Sequence, residues 1–322
     1  MTKSEIPVLI LGYMRFDGLL RQIKTCQAVG TNHVYISIDG PKNEHEKQVQ
    51  LAGFQEIQDF ALASGMKISI RLKNSNVGLA LAVLDGISWF FKEVEFGIIL
   101  EDDLIVSHSF FDFVAEAKNS FSKDRLINMV SGNNYEKNVN NGVLVTNYPL
   151  IWGWATWADE WDAFLFSLRT RVKIDWTAPP STKGFWVTAA LQSRSGIVDS
   201  WAMSFAHYFK SQNLLCLLPP TNLVSNRGVG ITATHSRTTD QFIDFPVQEL
   251  PTSFSWEIPP TYLIRKQNQF LENLIFKISA RHIFSPFKFR LKRFSKHKNV
   301  GLIERLENLQ NQSNYQSFEW GQ

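Results

Sequence analysis

The chain has 322 residues, with 33 basic and 30 acidic side chains and a formal net charge of +3. Apolar residues make up 44% of the chain and charged residues 20%, which excludes a disordered or collagen-like protein. The sequence has no apolar signal region and no apolar run near the roughly 20 residues that cross a bilayer, so we expect a cytoplasmic globular protein. Cys26 and Cys216 match no metal-binding spacing, and we expect reduced, buried thiols.

The first 130 residues alternate between strand and helix patterns. Predicted strands cover 7–13, 34–38, 67–72, 96–100 and 127–130, and predicted helices cover 16–29, 44–63, 78–91 and 109–121. Strands separated by helices of this length indicate βαβ units. We therefore predict an α/β fold with a Rossmann-like, mixed but mainly parallel sheet.

The pattern changes after about residue 145. Seven of the ten tryptophans fall between Trp152 and Trp201, and turn-rich segments become frequent. We interpret residues 1–145 as the first half of one domain and residues 146–262 as a second lobe that completes its site. Residues 263–322 are predicted to form a basic, helical C-terminal tail.

The tail concentrates positive charge. Residues 277–298 contain eight Lys or Arg and no acidic residue, so subtracting these eight from the formal charge of +3 leaves −5 on the rest of the chain. Phenylalanine and leucine alternate with the basic residues, which is typical of a helix on an anionic membrane surface. The alternative is a helix whose phenylalanines pack on the body of the protein. Nothing else in the sequence indicates a nucleic-acid partner.

Three segments follow predicted parallel strands directly, at residues 12–15, 39–41 and 101–103. Ligands of such sheets bind beyond the carboxyl ends of the strands. The adjacent carboxylates of Glu101, Asp102 and Asp103 repel one another unless a cation or hydrogen bonds offset the repulsion. Strand alternation predicts Glu101 and Asp103 on one face and Asp102 on the other. Mg²⁺ or Mn²⁺ with a phosphate ligand would suit this cluster, and a solvated acidic loop is the alternative.

Common nucleotide and hydrolase motifs are absent from the sequence. It contains no Gly-x-Gly-x-x-Gly after the first strand, no P-loop and no Gly-x-Ser-x-Gly elbow. A nucleotide would have to be bound by other groups.

An ordered set of motifs resembles the GT-A glycosyltransferases. Within that family the chain is most similar to the protein N-acetylglucosaminyltransferase I group and to bacterial sugar transferases that share a Glu-Asp-Asp-Leu motif. The resemblance covers about residues 6–237. Its motifs are Gly12-Tyr13-Met14-Arg15, Ile36-Ser37-Ile38-Asp39-Gly40-Pro41, Asn76-Val77-Gly78-Leu79, Ile98-Ile99-Leu100-Glu101-Asp102-Asp103-Leu104, Trp152-Gly153-Trp154-Ala155-Thr156-Trp157, Asp199-Ser200-Trp201 and Pro220 to Gly228 leading to Thr234-His235.

The resemblance implies a UDP-sugar donor, a divalent Mn²⁺ or Mg²⁺ ion on its diphosphate, and a hydroxyl acceptor on a glycan or lipid-linked sugar. The first half would then bind the nucleotide-sugar and the second the acceptor. Asp103 would ligate the metal directly. Residues implied around the nucleotide are Gly12, Arg15, Asp39, Asn76, Gly78, Glu101 and Asp102. Both halves would belong to the same catalytic domain, 1–262. The implied setting is bacterial surface-polysaccharide synthesis, and the basic tail would place the protein at the inner face of the membrane.

Asp199 is the candidate general base of an inverting transfer. In the eukaryotic group the corresponding segment reads Trp-Asp-Asp-Trp, and here Ser200 stands at the second Asp. The alternative is that Asp199 caps a helix that begins at Ser200.

Other candidates are His235, as a metal ligand, a donor to the diphosphate or a structural residue, and the rings of Trp154, Trp157 and Trp201. Sugars pack on aromatic faces, so these rings are predicted to contact the acceptor, with core packing as the alternative.

Two other functions compete with sugar transfer. A sugar-1-phosphate nucleotidyltransferase would use a related sheet, but it would need a glycine-rich basic loop near the N-terminus. A non-catalytic glycan-binding protein would need neither the acidic triplet nor a base.

Overall fold

A computed structural model of the chain describes residues 2–121, 126–136, 141–174, 178–228, 245–283, 285, 301–312 and 314–321. Its centre is a mixed sheet of nine strands with helices on both faces. The described residues form eleven strands in all, which are β1 (Val8–Gly12), β2 (His33–Ile38), β3 (Lys67–Lys73), β4 (Phe96–Glu101), β5 (Leu104–Val106), β6 (Met129–Ser131), β7 (Leu144–Thr146), β8 (Trp154–Trp157), β9 (Cys216–Leu218), β10 (Val224–Asn226) and β11 (Tyr315–Trp320).

Nine α-helices are formed by the described residues. They are α1 (Phe16–Ala28), α2 (Glu44–Ser64), α3 (Leu79–Glu93), α4 (His108–Phe121), α5 (Ala158–Arg169), α6 (Pro180–Arg194), α7 (Ala202–Gln212), α8 (Thr261–Leu271) and α9 (Leu302–Asn311). Short 3-10 helices cover Lys3–Glu5 and Ala280–His282, and a π-helical turn, Glu272–Phe276, follows α8.

The strand order in the large sheet is β11-β3-β2-β1-β4-β8-β6-β9-β7, and β5 pairs with β10 in a separate two-stranded sheet. Strands β3, β2, β1 and β4 are parallel to one another, so their carboxyl ends meet at one edge. Strand β8 is antiparallel to β4 and joins the second half of the chain to the first. The two predicted halves therefore share one continuous sheet.

Two hydrophobic cores lie on opposite faces of this sheet. Alternate side chains of β1 divide between them, with Val8 and Ile10 in one core and Leu9 and Leu11 in the other. Because both faces of β1 are buried, its sequence is a continuous apolar run, as expected of a central parallel strand. The predicted α/β fold with a mixed sheet is confirmed, and each predicted element up to residue 131 matches an observed one within two residues at either end.

The C-terminal region differs from the prediction of a helical tail. Strand β11 pairs antiparallel with β3 and forms an edge of the large sheet, where Phe318 and Trp320 pack on Phe54 of α2. Helix α9 buries Leu302 and Leu306 in one of the two cores. Most of the basic segment 277–298 lies outside the described residues. Among the described helices, none has the length and apolar character to span a membrane.

Both cysteines are free thiols in the interior, as predicted. Burial raises the pKa of each to about 12.

Candidate functional site

The ends of three parallel strands bring the predicted segments together. The backbone N–H of Asp39 donates to the Gly12 carbonyl oxygen at 3.0 Å, and the N–H of Asp102 donates to the Leu11 carbonyl oxygen at 3.0 Å. The segments after β1, β2 and β4 are therefore hydrogen-bonded neighbours at the carboxyl edge of the sheet. This is the position at which open α/β sheets bind ligands.

Asp39 is held in a buried pocket by the segment that precedes α3. Its carboxylate accepts hydrogen bonds from the backbone N–H of Val77 at 3.0 Å and of Gly78 at 3.2 Å, and from Asn76 Nδ2 at 2.8 Å. Burial raises the pKa of Asp39 to about 6, although these N–H donors and the charge of Lys73 oppose the shift. The structure thus places Asp39, Asn76 and Gly78 in one pocket.

Arg15 forms ion pairs with the two aspartates that follow β4. Its Nη1 donates to Asp103 Oδ2 at 2.7 Å and to Asp102 Oδ1 at 3.4 Å. Asp102 Oδ2 also accepts from the N–H of Tyr13 at 3.2 Å. The prediction that Asp102 points away from Asp103 is therefore wrong. Strand β4 ends at Glu101, and residues 102 and 103 form a turn in which strand alternation does not apply.

The pairing of β10 with β5 brings a remote segment to Asp103. Asn226 is paired with Leu104 in this register, and its Nδ2 donates to Asp103 Oδ1 at 3.3 Å. Gly228, two residues after Asn226, lies so close to Asp103 that a Cβ atom on it would be 2.1 Å from Asp103 Oδ2. Only glycine leaves room for the carboxylate at this point.

Burial and mutual repulsion perturb the acidic cluster. The pKa of Asp102 is raised to about 6, first by burial and then by the charge of Asp103, while Arg15 opposes the shift. The pKa of Glu101 is raised well above its usual range by burial and by the charges of Asp103 and Asp102. A bound cation would favour the ionised form of all three carboxylates.

The donor atoms around Asp103 suit a hard divalent cation that also binds phosphate. They are the carboxylate oxygens of Asp103 and Asp102 and the Gly228 carbonyl oxygen, which lies 3.5 Å from the Arg15 guanidinium. Mg²⁺-type sites use one or two carboxylates and complete their coordination with water and substrate phosphates. Within the described ranges, no three His, Cys, Asp or Glu side chains form a metal-binding group by themselves. Asp102 and Asp103 supply the two carboxylates of such a site, and their side chains remain 11% and 15% exposed, so the residues present fit it.

Asp199 lies beside the Asp39 pocket and caps α3. Its Oδ2 accepts from the N–H of Leu79 and its Oδ1 from the N–H of Ala80, both at 3.1 Å. Gly78, the N-cap residue of α3, has φ +88° and no side chain that could accept these bonds. The sequence alternative is that Asp199 caps a helix beginning at Ser200. Asp199 does cap a helix, but that helix is α3, and α7 begins at Ala202.

The three candidate acceptor tryptophans are buried. Trp154 is 1% exposed, and Trp157 and Trp201 are 5% exposed. Trp154 and Trp201 stack with ring centroids 6.0 Å apart, and Trp157 packs on Phe96. A sugar needs an exposed ring face, so this burial contradicts the predicted acceptor contact and supports core packing. His235 lies outside the described residues.

Two buried glutamines support the site and were missed by sequence reasoning. Gln50 of α2 donates to the carbonyl oxygens of Asp39 at 2.8 Å and Tyr13 at 3.1 Å. Gln22 of α1 donates to the carbonyl oxygens of Leu104 at 2.6 Å and Glu101 at 3.3 Å. The position of Gln22 on the apolar face of α1 was the available signal, since a buried amide needs partners.

A comparison of the chain with models of known families finds no matching family, and a comparison with curated proteins finds no match.

Proposed function

We propose that this protein is a metal-dependent, inverting glycosyltransferase that moves a sugar from a UDP-sugar to a hydroxyl of a glycan or lipid-linked acceptor. The observation that carries the proposal is the arrangement at one edge of the parallel sheet. There Asp39 lies in a pocket of N–H donors, and the Asp102–Asp103 pair faces Arg15 and Gly228. The motif resemblance to GT-A glycosyltransferases supplies the reaction class.

Each residue of this edge has a role in the proposed reaction. Asp39 lies near the uracil or ribose, and Asp103 holds Mn²⁺ or Mg²⁺. When bound, the ion would stabilise the negative charge that accumulates on the leaving diphosphate. Arg15 supplies a second positive charge at the same place.

Asp199 remains the candidate base because it lies next to the nucleotide pocket. A Cβ atom on Gly78 would be 3.0 Å from Asp199 Oδ2, while the Gly78 N–H donates to Asp39. A carboxylate here would take the proton of the acceptor hydroxyl as its oxygen attacks the anomeric carbon. Positioned general bases contribute about 10²–10⁴-fold to such rates.

Isothermal titration with UDP, with and without Mn²⁺, tests the proposal. We expect UDP binding that depends on Mn²⁺ and that Asp103→Ala abolishes, because that variant removes the ligand shared by metal and diphosphate. Asp112→Ala, which changes an exposed aspartate of α4, is the matched control. Metal-independent UDP binding, or none, would overturn the proposal.

A panel of UDP-sugars scored for slow hydrolysis with Mn²⁺ then identifies the donor without knowledge of the acceptor. Release of pyrophosphate from a nucleoside triphosphate and a sugar phosphate would instead indicate the competing nucleotidyltransferase. Binding of glycans without any turnover would indicate a non-catalytic glycan-binding protein.

We further propose that residues 277–298 hold the enzyme on an anionic membrane surface, at the inner face of the membrane where surface polysaccharides are assembled. Each basic residue near such a surface contributes about 1 kcal/mol. Co-sedimentation with anionic and neutral vesicles tests this. Replacing Lys288, Arg290, Lys292 and Arg293 by Gln should release the protein from anionic vesicles. The same change at exposed Lys24, Lys47, Lys67 and Lys92 should not, and equal effects of both variants would refute the proposal.

A further inference from the structure

Arg15 occupies the position in which a cation would neutralise the acidic pair. Its Nη1 lies 2.7 Å from Asp103 Oδ2 and 3.4 Å from Asp102 Oδ1. The carboxylates are 15% and 11% exposed, so this ion pair is only partly screened by water. The guanidinium is therefore the counter-ion of these aspartates in the structure.

A divalent cation on Asp103 cannot bind independently of Arg15. One oxygen of Asp103 accepts from Arg15, and the other accepts from Asn226. A cation must either displace the guanidinium or remain beside it as a like charge. Either outcome weakens cation binding, because the ion pair is lost or a repulsion is gained.

Among the residues that the structure describes, the displaced guanidinium would keep one weak contact. Its Nη2 lies 3.5 Å from the Gly228 carbonyl oxygen, at the limit of a hydrogen bond. Arg15 is 26% exposed and stands at the N-cap of α1, where N–H groups also attract anions. A diphosphate carried in with the cation would provide the guanidinium with a new anionic partner.

We propose that Arg15 is an internal counter-ion that suppresses cation binding until a nucleotide diphosphate arrives, so that cation and nucleotide bind cooperatively. This inference rests on the proposed function, because it assumes a cation and a nucleotide diphosphate at this edge. By linkage, any factor by which UDP tightens Mn²⁺ binding equals the factor by which Mn²⁺ tightens UDP binding. Arg15 contributes to that factor only if its guanidinium leaves Asp103 and pairs with the phosphate.

Mn²⁺ titrations with and without saturating UDP test the proposal on the full chain. They are run well above the pKa of about 6 of Asp102, so that loss of Arg15 does not protonate it. Arg15→Gln should bind Mn²⁺ alone about tenfold more tightly than the wild type, since an ion pair of this exposure is worth about one such factor. The enhancement by UDP should fall by a similar factor. Arg15→Lys, which keeps the charge, should lie closer to the wild type.

Arg21→Gln is the matched control. Arg21 also donates to Asp102, but to its backbone oxygen at 3.1 Å, so the variant removes a nearby charge without touching the carboxylates. We expect Arg21→Gln to change neither the affinity for Mn²⁺ alone nor its enhancement by UDP. An effect equal to that of Arg15→Gln would mean that any nearby positive charge acts in the same way, and it would overturn the proposal. Thermal unfolding establishes that each variant is folded.

The outcomes separate this inference from the proposed function. If the wild type binds neither Mn²⁺ nor UDP, the proposed function fails. If it binds both, but Arg15→Gln binds Mn²⁺ alone no more tightly than the wild type, the counter-ion role is overturned. If Mn²⁺ binding tightens while the enhancement by UDP is unchanged, Arg15 does not move to the diphosphate and the cooperative part is overturned.

Discussion

The contact between Asp199 and α3 makes a prediction that separates a structural role from a catalytic one. Both carboxylate oxygens accept N–H groups of the first turn of α3, at 3.1 Å each. Asp199→Ala removes both acceptors and the negative charge at the positive end of the helix. Asp199→Asn keeps one acceptor oxygen and loses the charge.

The expected cost follows from the geometry. Removing a helix cap costs about 0.5–2 kcal/mol, and a charge at a helix N-terminus adds about 0.3–1 kcal/mol. Asp199 is an exposed residue, which places the total for Asp199→Ala at about 1–2 kcal/mol of the free energy of unfolding. Asp199→Asn should lose about half of that, because one N–H donor then faces an amide N–H.

Urea unfolding and transfer assays on the same variants test these expectations. If Asp199 is also the base, Asp199→Asn should retain Mn²⁺-dependent UDP binding within a few-fold and lose transfer by about 10²-fold or more. Near-normal turnover in Asp199→Asn would refute the base assignment. An unchanged unfolding free energy in Asp199→Ala would refute the capping argument. If Asp199→Ala is too unstable to assay, Asp199→Asn still tests the catalytic role.

Two further predictions concern the carboxylates of the site. Burial raises the pKa of Asp39 from 3.8 to about 6, so the folded state binds this proton more tightly than the unfolded state. The resulting stabilisation is complete below pH 3.8 and is lost as the pH rises through about 6, by about 3 kcal/mol in all. Urea unfolding of the wild type and of Asp39→Asn at several pH values in this range gives the free energy of unfolding as a function of pH. This free energy should fall more steeply with rising pH in the wild type, and parallel curves would contradict the pKa shift. Gly228→Ala should weaken Mn²⁺-dependent UDP binding by roughly tenfold, since its Cβ would lie 2.1 Å from Asp103 Oδ2. Gly301→Ala, whose nearest contact would be an ordinary 3.7 Å, should bind as the wild type does, and equal losses in both would contradict this reasoning.

Much of the first half of the fold could be predicted because its signals are local. Strand β1 is a continuous apolar run, and α1 repeats Leu19, Ile23 and Cys26 on one face, so each period is visible in a short window. Since parallel strands end at a common edge, these elements also predicted that residues 12–15, 39–41 and 101–103 meet. The structure places them there as hydrogen-bonded neighbours.

The second half carried weaker local signals. Strands β7 to β10 have only three or four residues each, which is too short for a period to emerge. The tryptophans between Trp152 and Trp201 suit either a sugar-binding surface or a core by composition alone. The burial of Trp154, Trp161 and Trp201 follows from the packing of α5 and α7 on the sheet, a relation that no short stretch of sequence encodes.

The net charge and the acidic triplet were determined by the sequence, and so was the division into an acidic body and a basic segment at 277–298. The tertiary structure decided which groups surround the Asp102–Asp103 pair. Arg15 reaches Asp103 from 88 residues away, and Asn226 reaches it from 123 residues away through the pairing of β10 with β5. It also decided that Asp199 caps α3 and that β11 completes the sheet. Contacts between residues so far apart depend on how whole elements pack, because neither partner leaves a periodic trace in its own neighbourhood.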